Sequence, residues 1–152
     1  MEYHVGKSSK VVVMRIDDGE EIISSLKTAI VECNIKVGYV ETLVGGARDI
    51  DYSHFTKKSD GSIGSKYSTL LGPCNILAAG VFMPDKESGE ILFHIHFSAG
   101  IFGKEARACH LNRAIAHFYC DVVLVEIEDV EAVKSQFSGL PDVEHAKITE
   151  FL

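Results

Sequence analysis

The strongest constraint on the fold is a succession of strand-like segments joined by short connections. The first, residues 11–16, is a run of β-branched and apolar residues, and later segments alternate apolar with polar side chains. The predicted strands are residues 11–16, 35–44, 48–55, 66–71, 76–83, 91–99, 115–127 and 147–151. Because short connections favour antiparallel pairing, these segments predict one curved, largely antiparallel sheet.

One long segment has helical rather than strand periodicity. Residues 20–33 place apolar side chains three and four positions apart, on one face of a helix. Asp17 or Asp18 is the expected N-cap, with Glu20 and Glu21 in the first turn, where the helix dipole favours acidic groups.

A second, shorter helix is expected near the end of the chain. Asp129 would cap it, it would run to about residue 137, and Gly139 would close it. With one or two helices packed on one sheet, the fold class is α+β. No linker-like segment or internal repeat divides the sequence, so residues 1–152 are expected to form a single domain.

Composition excludes several classes of function. The chain has 15 Lys and Arg against 22 Asp and Glu, a net charge of −7, which is unfavourable for binding nucleic acid. The longest apolar stretch, residues 76–83, is too short to cross a bilayer, and the first ten residues lack the apolar core of a secretory signal. None of the four cysteines forms a C-x-x-C motif. A soluble, cytoplasmic protein with reduced cysteines is therefore expected.

Three histidines form the most informative pattern. His94 and His96 lie two apart in a predicted strand and therefore share a face, about 6 to 7 Å apart along the strand. His110 follows the glycine-bearing loop 100–103. Two imidazoles on one face and a third from the next segment could hold one metal ion with an open position, a common arrangement for catalytic zinc. The alternative is that the histidines line a polar face and hydrogen-bond locally.

Other polar residues give weaker signals. His117 and Asp121 lie four apart in the next strand. Either could supply a fourth metal ligand, a hydrogen-bond acceptor for a ligating histidine or a general base, although an ordinary surface pair is the simpler interpretation. Cys109 is expected to be a small buried residue, and His54 a structural one. Arg15 and Asp17 are expected to be a structural pair or separate surface charges.

In order and spacing, these features resemble the PPC domain, named for its conservation in plants and prokaryotes. The resemblance spans about residues 10–140, and it includes the Gly45-Gly46 bend. The segments that carry it are RIDDGEE at 15–21, LVGGARD at 43–49, FHIH at 93–96, CHL at 109–111 and SGL at 138–140.

The resemblance implies an antiparallel sheet with packed helices, a homotrimer, and a metal site, usually zinc, at His94, His96 and His110. Plant members carry an AT-hook that enters the minor groove of DNA, and this chain has none, so it resembles the stand-alone prokaryotic type. It departs from the family at Ala108-Cys109, where the family has two glycines before the third histidine, and at Asp121, where many members have Glu.

Three functions therefore stay open at the level of sequence. The first is a metal-binding protein, with zinc or another divalent transition metal on the three histidines and water at the open position. In this hypothesis, Asp121 or Glu126 is a general base or a hydrogen-bond partner of a ligating histidine. The second is a DNA-associated regulatory protein, as the family label suggests. The third is a trimer that binds a small molecule without catalysis. Whether the protein is an enzyme is left open.

Overall fold

The structure is a computed structural model, and it describes residues 1–101, 103, 105–137 and 147–152. Its elements are β1 (Lys7–Asp17), α1 (Ile22–Glu32), β2 (Gly38–Lys57), β3 (Ile63–Leu70), β4 (Cys74–Pro84), β5 (Ile91–Gly100), β6 (Arg107–Glu128), β7 (Ala132–Gln136) and β8 (Lys147–Phe151). The predicted α+β class and the mainly antiparallel sheet are confirmed.

Six strands form the main sheet, in the order β1-β6-β5-β4-β2-β3, and every pair of neighbours is antiparallel. A further pairing of β2 with β6 joins β6, β5, β4 and β2 into a closed ring. A closed ring has no free edges within it and encloses its inward-facing side chains. The core therefore lies inside the curved sheet, and its largest fully buried side chains include Phe82, Ile95, Leu43 and Leu124.

Helix α1 covers one side of this core. Its buried residues are Ile22, Leu26 and Ile30, the spacing that the sequence predicted, and the helix contacts β6. The predicted N-cap was wrong. Glu21 caps the helix, because its carboxylate accepts the backbone N–H groups of Ile23 and Ser24 at 3.1 and 2.8 Å. Glu20 and Glu21 therefore precede the helix instead of lying in its first turn.

The two strands predicted at 35–44 and 48–55 are one strand, β2. Gly45-Gly46 does not end it, because the two glycines allow β6 to approach closely. A side chain at Gly45 would place its Cβ 2.7 Å from the Cα of Cys120, and one at Gly46 would overlap the carbonyl oxygen of His117. Absence of a Cβ at these positions is thus a packing requirement of the β2–β6 pair.

The second predicted helix is wrong. Residues 132–136 form β7, which pairs with β8 in a separate two-stranded sheet, and Asp129 has a positive φ of 64° instead of capping a helix. The alternation explains the strand, since Ala132 and Lys134 are both buried and their neighbours are more exposed. The strand predicted at 147–151 is its partner. Gly139, which was expected to end that helix, lies outside the described residues.

Candidate metal centre and cavity

Strand β5 presents its two histidines on one face, as predicted. Ile95 and Phe97 are buried in the core, whereas His94 and His96 are exposed. The alternation follows from the two-residue period of a strand with one side on an apolar core. The Nε2 atoms of the two histidines lie 3.2 Å apart.

Strand β6 supplies the third histidine. It begins at Arg107, well before the predicted start at residue 115, and so His110 is part of the sheet instead of following a loop. His96 and His110 are direct partners in the β5–β6 register. The ring of His110 has its centroid 5.6 Å from those of both His94 and His96.

The three imidazoles can converge on one ion. One ligand nitrogen from each of His94, His96 and His110 lies within 4.8 Å of the other two. In a tetrahedral zinc site with Zn–N bonds of about 2.0–2.1 Å, two nitrogens lie about 3.3 Å apart, close to the separation of the His94 and His96 nitrogens. Small side-chain rotations would bring in the third. The residues present therefore fit a zinc-like ion, and three protein ligands leave one coordination position free.

The environment favours the neutral form of His94 and His110. Burial lowers the pKa of His110 to about 4, with further lowering by His94, His96 and the Lys134 ammonium. Burial also lowers the pKa of His94, followed by the effects of Lys134 and His96. Neutral imidazole is the form that binds metal, so protons compete weakly for His110 near neutral pH.

The triad opens into a cavity of about 980 Å³, within the size range of small-ligand sites. Its apolar walls include Phe55, Tyr67, Leu92 and Phe93. The polar groups that line it, besides the triad, are Ser53, His54, Ser65, Asp85, Ser88, Asn112, Lys134 and Lys147. A mostly apolar cavity with a few polar groups and a candidate metal site at its wall is suited to a small organic molecule.

The structure places His117 and Asp121 away from the triad. His117 Nδ1 lies 3.1 Å from an Arg48 nitrogen and 3.7 Å from Asp18 Oδ1, in a polar cluster of its own. Asp121 is opposite Arg15 on β1, eleven residues along β6 from His110, a strand length of about 35 Å. Neither residue lines the cavity. Within one chain, therefore, Asp121 does not reach the triad as a base.

Glu126 also has a different role from the one considered in the sequence. Its Oε2 accepts the Ser9 hydroxyl at 2.6 Å and lies 3.4 Å from Lys10 Nζ, and the hydrogen bond from Ser9 is the main reason that its pKa is lowered. It ties β1 to the end of β6. Arg15 and Asp17 are an exposed ion pair with 2.6 Å between Nε and Oδ1, as the structural interpretation expected.

Several cavity residues were not identified from the sequence. His54 was considered structural, yet it lines the cavity, and Cys109, which packs partly against the core, does too. Lys134 was hidden because its segment was predicted to be helical. Asn112 gave no signal, although its position two residues from His110 on β6 could have placed it on the same face of the strand.

The family model for the Plants and Prokaryotes Conserved (PCC) domain, also called PPC, matches residues 3–128. The chain belongs to this family. No curated protein matches the chain. A PPC protein of Pyrococcus horikoshii has a similar solved structure, with 17% sequence identity, a TM-score of 0.78, and coverage of 91% of this chain and 92% of that one.

Two further solved structures share the PCC fold. A metal-containing protein from Archaeoglobus fulgidus has 18% identity and a TM-score of 0.77, with coverage of 92% of this chain and 95% of that one. A "putative dna binding protein" from Bacteroides thetaiotaomicron has 18% identity and a TM-score of 0.75, with coverage of 97% and 99%. At these identities the likeness establishes the fold.

The described part of this PCC domain contains no helix long and apolar enough to cross a membrane. Its four cysteines, at positions 33, 74, 109 and 120, are all free thiols. Cys74 and Cys120 are buried, and burial is the main cause that raises the pKa of both, to about 11 for Cys120. At neutral pH both are therefore protonated and unreactive.

Proposed function

We propose that this PCC domain binds one divalent transition metal ion, zinc by preference, through His94, His96 and His110. The observation that carries the proposal is the convergence of three imidazole nitrogens, from two paired strands, within 4.8 Å of one another. Zinc suits neutral imidazole ligands and tolerates a three-coordinate protein site with an open position. The structure from Archaeoglobus fulgidus is described as metal-containing, which supports the proposal through the shared fold.

The protein's own part in this function is to fix the ligands and shape their surroundings. The buried Ile95 and Phe97 hold β5 against the core, so the two histidines between and beside them are presented at a fixed spacing. Pairing of β5 with β6 sets the position of His110. A bound ion would supply Lewis-acid chemistry at the cavity wall. Whether a reaction follows depends on the ligand that the cavity accepts.

The test is the metal content of untagged protein purified without chelator and then loaded with zinc. We expect one equivalent per chain in the wild type and a loss of that equivalent in the His94→Ala/His96→Ala double variant. His117→Ala is the matched control, because it removes an imidazole that lies outside the triad. Absence of stoichiometric zinc in the loaded wild type, or equal zinc in the double variant, would contradict the proposal.

We also propose that the domain assembles as a homotrimer. Support comes from apolar side chains left exposed on the sheet, including Val13, Val44, Leu77 and Phe118. Val44 and Leu77 are direct cross-strand partners, so they form a contiguous patch. Larger exposed apolar patches often mark interaction sites. Sedimentation equilibrium is expected to give three times the chain mass of 16.7 kDa. A monomeric mass would contradict this.

DNA is a poorer match for this chain. Acidic residues outnumber basic ones by 22 to 15, and duplex binding depends on neutralising phosphates with Lys and Arg. No described feature of this chain favours the DNA-associated alternative over the metal site. Salt-dependent binding of duplex DNA near physiological ionic strength would reverse this judgement.

A further inference from the structure

Lys134 is a buried cation in the cavity wall beside the triad. The residue is only 3% exposed, and its ammonium donates to the Thr149 hydroxyl at 3.0 Å, a neutral acceptor. It lines the cavity, and it is close enough to His94 and His110 to lower the pKa of both. Burial lowers the pKa of Lys134, as expected for a buried ammonium that no anion balances.

Among the described residues, one acidic group lines this cavity, and it has another partner. Asp85 lines the same cavity, but its Oδ1 lies 3.0 Å from Lys147 Nζ, and its Oδ2 accepts the Ser88 backbone N–H at 3.1 Å. These contacts hold the pKa of Asp85 down at about 2, so it stays ionised and paired with Lys147. Among the described residues, then, Asp85 and Lys147 balance each other and the charge of Lys134 is left without a carboxylate.

Two further polar atoms in the cavity wall have neither a hydrogen bond nor an ion pair among the described residues. The Asn112 side-chain nitrogen and the His54 Nδ1 are both buried and make no hydrogen bond within the described structure. The amide oxygen of Asn112 accepts the Ser53 hydroxyl at 3.4 Å, which orients the amide nitrogen as the free donor. Buried polar groups without partners are rare in native proteins and each needs an explanation. Neither atom is open to the cavity in this conformation, so a polar ligand would satisfy them only after the two side chains turn towards it.

We propose that the cavity binds a small organic carboxylate, with the carboxylate group on Lys134 and an apolar body against Phe55, Tyr67, Leu92 and Phe93. One uncompensated cation matches a single negative charge better than a phosphate monoester, which carries about 1.5 to 2 charges at neutral pH. The apolar walls match a hydrocarbon or aromatic body. With their side chains turned towards the cavity, Asn112 and His54 would contact polar atoms of the same ligand.

This assignment deepens the proposed function, since it rests on that function for an ion next to the bound molecule. The carboxylate contact itself needs only Lys134. The position of the triad in the same cavity would bring a carbonyl or hydroxyl group of the ligand towards the ion. The proposed ligand class is therefore an organic carboxylate with an apolar body, and an oxygen function on that body would lie towards the ion.

The test is titration calorimetry with phenylacetate and hexanoate, on both zinc-loaded and metal-free protein. We expect binding to the wild type that weakens about tenfold or more in Lys134→Met, because a charge-assisted hydrogen bond is lost. Lys36→Met is the matched control. Lys36 is an exposed lysine in the connection between α1 and β2 and does not line the cavity, so this variant should bind like the wild type.

Two additional measurements protect the test against misfolding of the variant. First, phenylacetamide, the neutral analogue, should bind the unmodified wild type about tenfold more weakly than phenylacetate. Second, thermal unfolding should show that Lys134→Met is at least as stable as the wild type, because the substitution removes an unbalanced buried charge. A large loss of stability would indicate a structural lysine and would contradict the inference.

The results separate this inference from the proposed function. Carboxylate binding that depends on Lys134 in a protein that takes up no zinc would sustain the inference and refute the metal site. One equivalent of zinc, with neither carboxylate bound at millimolar concentration or with binding unchanged in Lys134→Met, would refute the inference and leave the metal site intact.

Discussion

His96 on β5 lies directly opposite His110 on β6, and the two imidazole rings have their centroids 5.6 Å apart. This cross-strand pair joins a local motif, the two histidines of β5, to a distant segment of the chain. Backbone pairing therefore fixes the separation of the ligands before any ion is bound. Such preorganisation lowers the entropy cost of binding.

Removal of His110 alone is expected to weaken zinc binding strongly. In His110→Ala two ligands remain, and we expect the dissociation constant for zinc to rise by two orders of magnitude or more. Competition with a chromophoric chelator measures this change. His54→Ala removes another imidazole from the same cavity, outside the triad, and is expected to keep near wild-type zinc affinity. Equal losses in the two variants would mean that the triad has no special role.

Stability of the metal-free protein should depend on the protonation of His110. Its pKa is about 4 in the folded protein, below the ordinary 6.5, so the unfolded chain binds the proton more readily. The stability that the folded protein gains by burying a neutral His110 is therefore fully present above pH 6.5. It is lost as the pH falls from 6.5 towards 4.

Chemical denaturation of the wild type and His110→Gln at several pH values measures this contribution. The stability of the wild type relative to the variant should fall by about 1–2 kcal/mol between pH 7 and pH 4, allowing for solvent around this half-buried ring. A constant difference across that range would show that the ring titrates normally.

Gly80 is expected to position His94 by its lack of a side chain. It pairs with Ile95, and a Cβ there would lie 2.6 Å from the Cα of Ile95 and overlap the carbonyl oxygen of His94. Gly80→Ala should therefore push β5 away from β4, with a loss of about 1–3 kcal/mol of stability and roughly tenfold weaker zinc binding.

Gly100→Ala is the control for that substitution. Gly100 is at the end of the same strand β5, its φ is not in the left-handed region, and an added Cβ would meet no atom within 4 Å. Its stability and zinc affinity are expected to stay close to the wild type. If Gly80→Ala matched this control in zinc titrations and thermal unfolding, the close approach would have no bearing on the site.

Glu126 is expected to matter for stability and not for metal binding. Glu126→Gln removes the charge that accepts the Ser9 hydroxyl and attracts Lys10, and it should cost about 1–2 kcal/mol. Zinc stoichiometry should be unchanged, because the residue is outside the triad. Denaturant unfolding and elemental analysis of the same preparation check both parts, and a loss of zinc in the folded variant would place Glu126 in the metal site after all.

The candidate site could be predicted from sequence because its central signal is local. A strand period of two places the side chains of His94 and His96 on the same face of the strand, independently of tertiary contacts. The sequence also predicted that His110 would lie near these two histidines. It did not predict that pairing of β5 with β6 places it there. The register of β5 against β6 is a long-range property, and the start of β6 at Arg107 was hidden by polar residues before the apolar run.

The errors in the fold have similar physical causes. Helical propensity around residues 129–137 was overridden by pairing with β8, a tertiary contact that local pattern does not contain. Gly45-Gly46 was interpreted as a bend between strands, whereas the close packing of β6 uses the missing side chains. Lys134 was missed for the first of these reasons, since only a strand at this position places its side chain in the cavity wall.

The most direct test of the metal site is X-ray absorption spectroscopy at the zinc edge of the loaded wild-type protein. We predict a first shell that contains three imidazole nitrogens at about 2.0–2.1 Å with one further oxygen ligand, and loss of the imidazole scattering in His94→Ala/His96→Ala. A shell dominated by sulfur at about 2.3 Å, or one with oxygen ligands alone, would contradict a site built from His94, His96 and His110.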